Sequence, residues 1–93
     1  MDTYGKELIL DLKECNLETF TRESLTMFFT ELCYRIDMEQ CDLHFWDDVG
    51  VPEGECQTDP NLKGTSAVQF IMTSSIVIHC LDLLGTVYVN LFS

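Results

Sequence analysis

Residues 63–93, KGTSAVQFIMTSSIVIHCLDLLGTVYVNLFS, form a run of β-branched and aromatic side chains whose interruptions are only a few residues long. Such residues pack well on a pleated surface. The spacing predicts three strands over 65–72, 76–81 and 86–92, joined by a Thr73-Ser74-Ser75 corner and an 82–85 turn. Joins this short cannot carry a parallel crossover, so the three strands must form an antiparallel meander. The upstream segments have to fit around that sheet.

Residues 7–13 alternate, with Leu8, Leu10 and Leu12 on one face and Ile9 and Asp11 on the other, the period of a half-buried strand. Thr21 suits a helix N-cap. After it, Leu25, Phe28, Phe29, Leu32, Cys33 and Ile36 recur at helical spacing and draw one apolar stripe that has to lie on the sheet. Met27, Phe28 and Phe29 read as core side chains here. Residues 42–47 read as a second strand, with Leu43 and Phe45 opposite His44 and Trp46. Residues 47–63 hold both prolines and several turn signals and form a loop. At ~17 residues it exceeds the usual connection length, a feature of functional lids or of disordered segments.

The order β-α-β-β-β-β describes an α+β fold, a two-layer sandwich with one helix packed on a mainly antiparallel sheet. It forms a single domain over residues 1–93. A chain this small buries only ~60–65% of its unfolded surface. The sheet face away from the helix leaves apolar surface for a second protomer, so homo-oligomerisation is expected.

Sixteen acidic residues against five basic ones give a net charge of −11. That charge repels phosphate backbones and anionic lipid, which excludes nucleic acid and membrane surfaces as partners and favours cationic ligands. Between residues 37 and 59 there are eight carboxylates and no Lys or Arg, either a solvated segment or a rim for a cation. Asp47 and Asp48 make a poor metal pair, since neighbouring strand residues point to opposite faces. Five cysteines without a C-x-x-C spacing suggest neither zinc nor a disulfide framework, which fits a cytoplasmic location. The acidic opening and the lack of ~18 consecutive apolar residues argue against a signal peptide or a membrane span.

Within the apolar run, Ser66, Ser74 and His79 stand out as polar. Each alone is explained by a local hydrogen bond. His44 and Trp46, two apart on one strand face, are either a packing pair or an aromatic surface for a ring or a cation.

The string G-x-S-A-V-x-F-I-x-x-S-S-I-V-I-H over residues 64–79 resembles the self-processing segment of the prokaryotic S-adenosylmethionine decarboxylase proenzymes. Gly5-Lys6-Glu7-Leu8 and Glu14-Cys15-Asn16 resemble that family's opening, and residues 85–93 look like its following strand. The chain is thus similar to a divergent, C-terminally short member, and the resemblance implies an S-adenosylmethionine decarboxylase-like fold. It gives Ser74 the position of the serine converted to a pyruvoyl group, and Ser66 and His79 those of the processing serine and histidine. The ligand implied is S-adenosylmethionine or a nucleotide conjugate of it, with Trp46, His44, Ser75 and Thr73 as substrate-binding residues.

The family cleaves a Glu-Ser bond where this chain has Thr73-Ser74, and the histidine that follows is here Ser75. The family's proton-donor cysteine falls after the strand matched by residues 91–93. These departures favour a lyase that needs no cofactor and releases a methylthioadenosine moiety and homoserine lactone. The alternatives are the pyruvoyl-dependent decarboxylase of polyamine biosynthesis, with its pyruvoyl drawn from Ser74, and a non-catalytic module that binds the ligand or a partner protomer.

Overall fold

The computed structural model describes residues 7–92, so Gly5, Lys6 and Ser93 of the matched motifs lie outside the described residues. Strand β1 (Glu7–Leu12) leads through a 3-10 turn (Leu17–Thr19) to helix α1 (Arg22–Arg35), followed by β2 (Gln40–Trp46). A second 3-10 turn (Glu53–Glu55) interrupts the long loop, and β3 (Gly64–Ile71), β4 (Ser74–Leu81) and β5 (Thr86–Phe92) complete the chain. The five strands form one antiparallel sheet in the order β1-β5-β4-β3-β2. The expected α+β class, one helix on an antiparallel sheet, holds.

The helix begins where a cap is available. Thr21 is extended and its hydroxyl accepts the Ser24 amide at 3.1 Å, while Glu23 lies in the positive first turn and Arg35 in the last. The chain leaves the helix through Asp37 at φ 56°, a left-handed turn that aspartate tolerates, and the Met38 amide bonds the Cys33 carbonyl at 2.9 Å. Leu25, Phe29 and Cys33, one residue per turn, are buried against Ala67, Ile71, Ile76, Ile78, Cys80, Val87 and Val89. Leu32, Leu43 and Phe45 pack at the margin of this core.

The apolar stripe is narrower than its periodicity suggests. Met27 is 66% exposed and Phe28 and Ile36 are also exposed, so Met27 and Phe28 do not belong to the core. Nor is β1 half-buried: all six of its residues are exposed, because α1 lies nearest β2 and β3 and does not reach the edge where β1 pairs with β5.

A further difference concerns the hairpin between β3 and β4. The expected Thr73-Ser74-Ser75 corner is a two-residue turn, Met72-Thr73, with Ile71 paired to Ser74 and Phe70 to Ser75. Ser74 and Ser75 are therefore strand residues. Thr73 takes φ 64°, a conformation that a β-branched side chain adopts only under strain. At the other end of the hairpin, β3 begins so close to β4 that a Cβ on Gly64 would lie 1.7 Å from the Cys80 carbonyl oxygen.

Candidate functional site

Strand alternation divides the sheet into two chemistries. Residues 65, 67, 69 and 71 of β3 and 76, 78 and 80 of β4 face the helix and are buried. The other set faces away from it. Because directly paired residues share a face, the register writes one row across five strands: Trp46, Ser66, His79, Tyr88 and Asp11. A second row, one pleat along, runs His44, Val68, Val77, Asn90 and Ile9.

At the centre of the first row, Ser66 Oγ and His79 Nδ1 are 2.7 Å apart, a short hydrogen bond between opposed side chains on neighbouring strands. It leaves Nε2 of the ring, the other face of the pair, for a ligand; the tautomer decides which partner donates. Trp46, 82% exposed, stands beside Ser66 on the edge strand. His44 meets the Phe70 ring edge-on at 6.0 Å, and a shallow cavity between His44, Trp46, Ser66 and Val68 opens on the same face.

Ser74 is elsewhere. The two-residue turn pairs it with buried Ile71, which puts it on the helix side of the sheet and ~16 Å along β4 from His79 at about 3.3 Å per residue. Ser75 is on the open face but opposite Phe70, at the far end of the hairpin from Ser66. Thr73, in the turn, donates its hydroxyl hydrogen bond to the Met72 carbonyl at 2.6 Å. Of the residues that the sequence singles out, the fold thus brings together Ser66, His79 and Trp46, with His44 one pleat away, and leaves Ser74, Ser75 and Thr73 at the hairpin tip.

The carboxylates near Trp46 already have partners. Arg22 grips Asp47 through Nε and Nη2, at 2.6 and 2.7 Å, and stacks its guanidinium 5.5 Å from the Phe45 ring. That hydrogen bond, with the Val49 amide and the charge of Arg22 aiding it against burial, holds the Asp47 carboxyl below the usual range. Lys63 Nζ binds Asp48 Oδ2 at 3.0 Å, so the two ends of the long loop are tied together. Asp42 lies 4.0 Å from His44 Nε2. Among the described residues no group of three or more His, Cys, Asp or Glu side chains could hold a metal ion, and no helix is long and apolar enough to cross a membrane.

Three features escaped sequence reasoning. Tyr88 and Asp11 join the row only because β1 pairs with β5, a long-range pairing that no local pattern announces. Gln69 is buried, and it is satisfied at a β2 irregularity by giving its amide to the Cys41 and Phe70 carbonyls and accepting from Gln40 at 3.1 Å. On the helix side, a cavity of ≈570 Å³ between α1 and the β5 half of the sheet is lined by Leu12, Phe20, Phe28, Ile78, Val87 and Val89, among others. Its wall is mainly apolar, with Thr19, Ser24 and Glu31 the polar exceptions, so it reads as uncovered core rather than as a chemical site.

Comparison of the chain with protein-family models, with curated proteins and with solved structures yields no match.

Proposed function

We propose that the chain is an S-adenosylmethionine decarboxylase-like protein that binds S-adenosylmethionine, or a nucleotide conjugate of it, on the open sheet face and cleaves it without a pyruvoyl group. The observation that carries this reading is the Ser66–His79 pair, hydrogen-bonded beside Trp46 on the open face, while Ser74 faces the other side of the sheet. A pyruvoyl formed from Ser74 would stand apart from the pair that should process it and from the aromatic surface that should hold the substrate.

Lyase chemistry asks less of the protein. The substrate carboxylate oxygen attacks its own Cγ, the Cγ–S bond breaks, and its electron pair passes to the sulfonium, so the positive and negative charges cancel. The products are a neutral thioether, the methylthioadenosine moiety, and homoserine lactone. No proton donor or electron sink is required. The protein's task is to fold the substrate into the attacking geometry and keep water away. In this reading Trp46 stacks on the adenine, and the free end of the Ser66–His79 pair orients the carboxylate. A second protomer laid on the open face closes it, in a reducing cytoplasm where the five free cysteines persist.

Intact mass and product analysis test the proposal. The expected result is an unbroken 10.7 kDa chain that releases methylthioadenosine and homoserine lactone, and no labelled carbon dioxide, from carboxyl-labelled S-adenosylmethionine. Two chains with a blocked second N-terminus, and labelled gas, would establish the pyruvoyl decarboxylase instead. Tight binding without either product would leave a binding module.

A further inference from the structure

We infer that Tyr88 and Asp11 form the cation subsite of this face, so that the adenosyl ligand lies across the strands with its ring at Trp46 and its sulfonium against the Tyr88 ring. The inference rests on the adenosyl reading above and adds to it a direction and two residues. Tyr88 is the cross-strand neighbour of His79, on the side away from Ser66, and Asp11 is the neighbour of Tyr88 on β1. Directly opposed side chains stand ~5 Å apart at Cβ. An aromatic face and a carboxylate are thus adjacent on one surface, the pairing that attracts a soft, poorly hydrated cation.

Charge decides which end takes the sulfonium. Around Trp46, Asp47 is occupied by Arg22 and Asp48 by Lys63. At the other end of the row, no cationic group pairs with Asp11 among the described residues. A cation is therefore drawn to the Tyr88 end, while the uncharged purine suits the exposed indole. The span agrees. Trp46 and Tyr88 are three strand steps apart, about 14 Å at ~4.8 Å per step. A cation within ~6 Å of the Tyr88 ring leaves about 8 Å to the indole, which the ribose bridges over Ser66 while His79 Nε2 stays with the carboxylate. Tyr88 is 41% exposed, so its side chain can be changed without opening the core.

The test is calorimetric titration of the full chain with S-adenosylmethionine and with its uncharged thioether counterpart, S-adenosylhomocysteine, each variant first shown by circular dichroism to be folded. The wild type should prefer the sulfonium at least ~5-fold, the scale of a partly desolvated cation–π contact. Tyr88→Leu should remove most of that preference, weakening the sulfonium ligand far more than the thioether. Tyr88→Phe should retain it, and Asp11→Asn should reduce it. Trp46→Leu should weaken both ligands equally. Full preference in both Tyr88→Leu and Asp11→Asn overturns the inference, as does equal wild-type affinity for the two ligands; either result leaves adenosyl binding itself standing. A wild type that binds neither ligand overturns the adenosyl reading and this inference with it.

Discussion

Replacing Gly64 with alanine should separate the two strands that carry the Ser66–His79 pair. The added Cβ would sit 1.7 Å from the Cys80 carbonyl oxygen, 2.8 Å from its carbon and 3.2 Å from Leu81 Cα. A comfortable carbon–oxygen contact is about 3.3 Å, so the strands must part by well over an ångström. All three contacts are backbone, and no rotamer can relieve them. Overpacking of this kind costs about 1–3 kcal/mol, and weakening the adjoining end of the ladder adds about 1 kcal/mol. For a domain of this size, at about 4–8 °C per kcal/mol, the melting temperature should fall by roughly 10–25 °C. Gly54 provides the control, since a Cβ there meets nothing within 4 Å, and Gly54→Ala should stay within about 0.5 kcal/mol of wild type. Thermal unfolding followed by circular dichroism decides the matter. Two variants that melt together would refute the claim that β3 and β4 require a side-chain-free position at their start.

Four further outcomes follow from local physics. Thr73→Asn should raise stability by about 0.5–1 kcal/mol in urea unfolding, because asparagine accepts the φ of 64° that strains a β-branched residue; an unchanged midpoint would show the turn to be relaxed. The Asp47 carboxyl is held low by Arg22, so its contribution is complete above the unfolded carboxylate pKa of about 3.9 and is lost as pH falls through the lower folded value. Acid unfolding of Asp47→Asn should accordingly show a shallower decline below pH ~4 than wild type. Burial pushes the Cys80 thiol up to about 11 from 9.0, so the native state keeps its proton where the unfolded chain gives it up. Stability should therefore decline from pH 9 towards 11. By mass spectrometry at pH 8.5, iodoacetamide should label exposed Cys41 and spare Cys80 until the protein is denatured.

Much of the architecture was legible because it is local. Thr21 and the spacing of Leu25, Phe29 and Cys33 mark the helix before any partner is known. The β-branched and aromatic run over 86–92 marks β5, and alternation of Leu43 and Phe45 with His44 and Trp46 separates the two faces of β2. What failed depended on distance. Leu8, Leu10 and Leu12 look like a half-buried face, and whether a helix covers them is set by where α1 crosses a sheet whose edge order is not written in any one segment. Phe28 and Met27 share the helix's apolar composition but look out over the uncovered β5 side.

The site turns on a single local misreading, the length of one turn. Polar Thr73, Ser74 and Ser75 look like a three-residue corner, and a β-branched threonine is a poor candidate for the left-handed position that a two-residue turn demands. The three-residue corner would pair Met72 with Ile76, and six residues further along each strand Ser66 would then face Asp82. In the two-residue turn Ile71 pairs with Ser74, and five residues further along Ser66 meets His79. The choice that makes the Ser66–His79 pair is the same one that turns Ser74 towards the helix. A proximal Ser66–His79 pair and a Ser74 on the same face cannot both follow from one regular hairpin, because the side-chain period is two and one shared register fixes both. The strained Thr73 peptide is where that register is set. Any route through Ser74 would therefore require the β3–β4 hairpin to bulge or slip at its tip while Ser66 and His79 stayed paired.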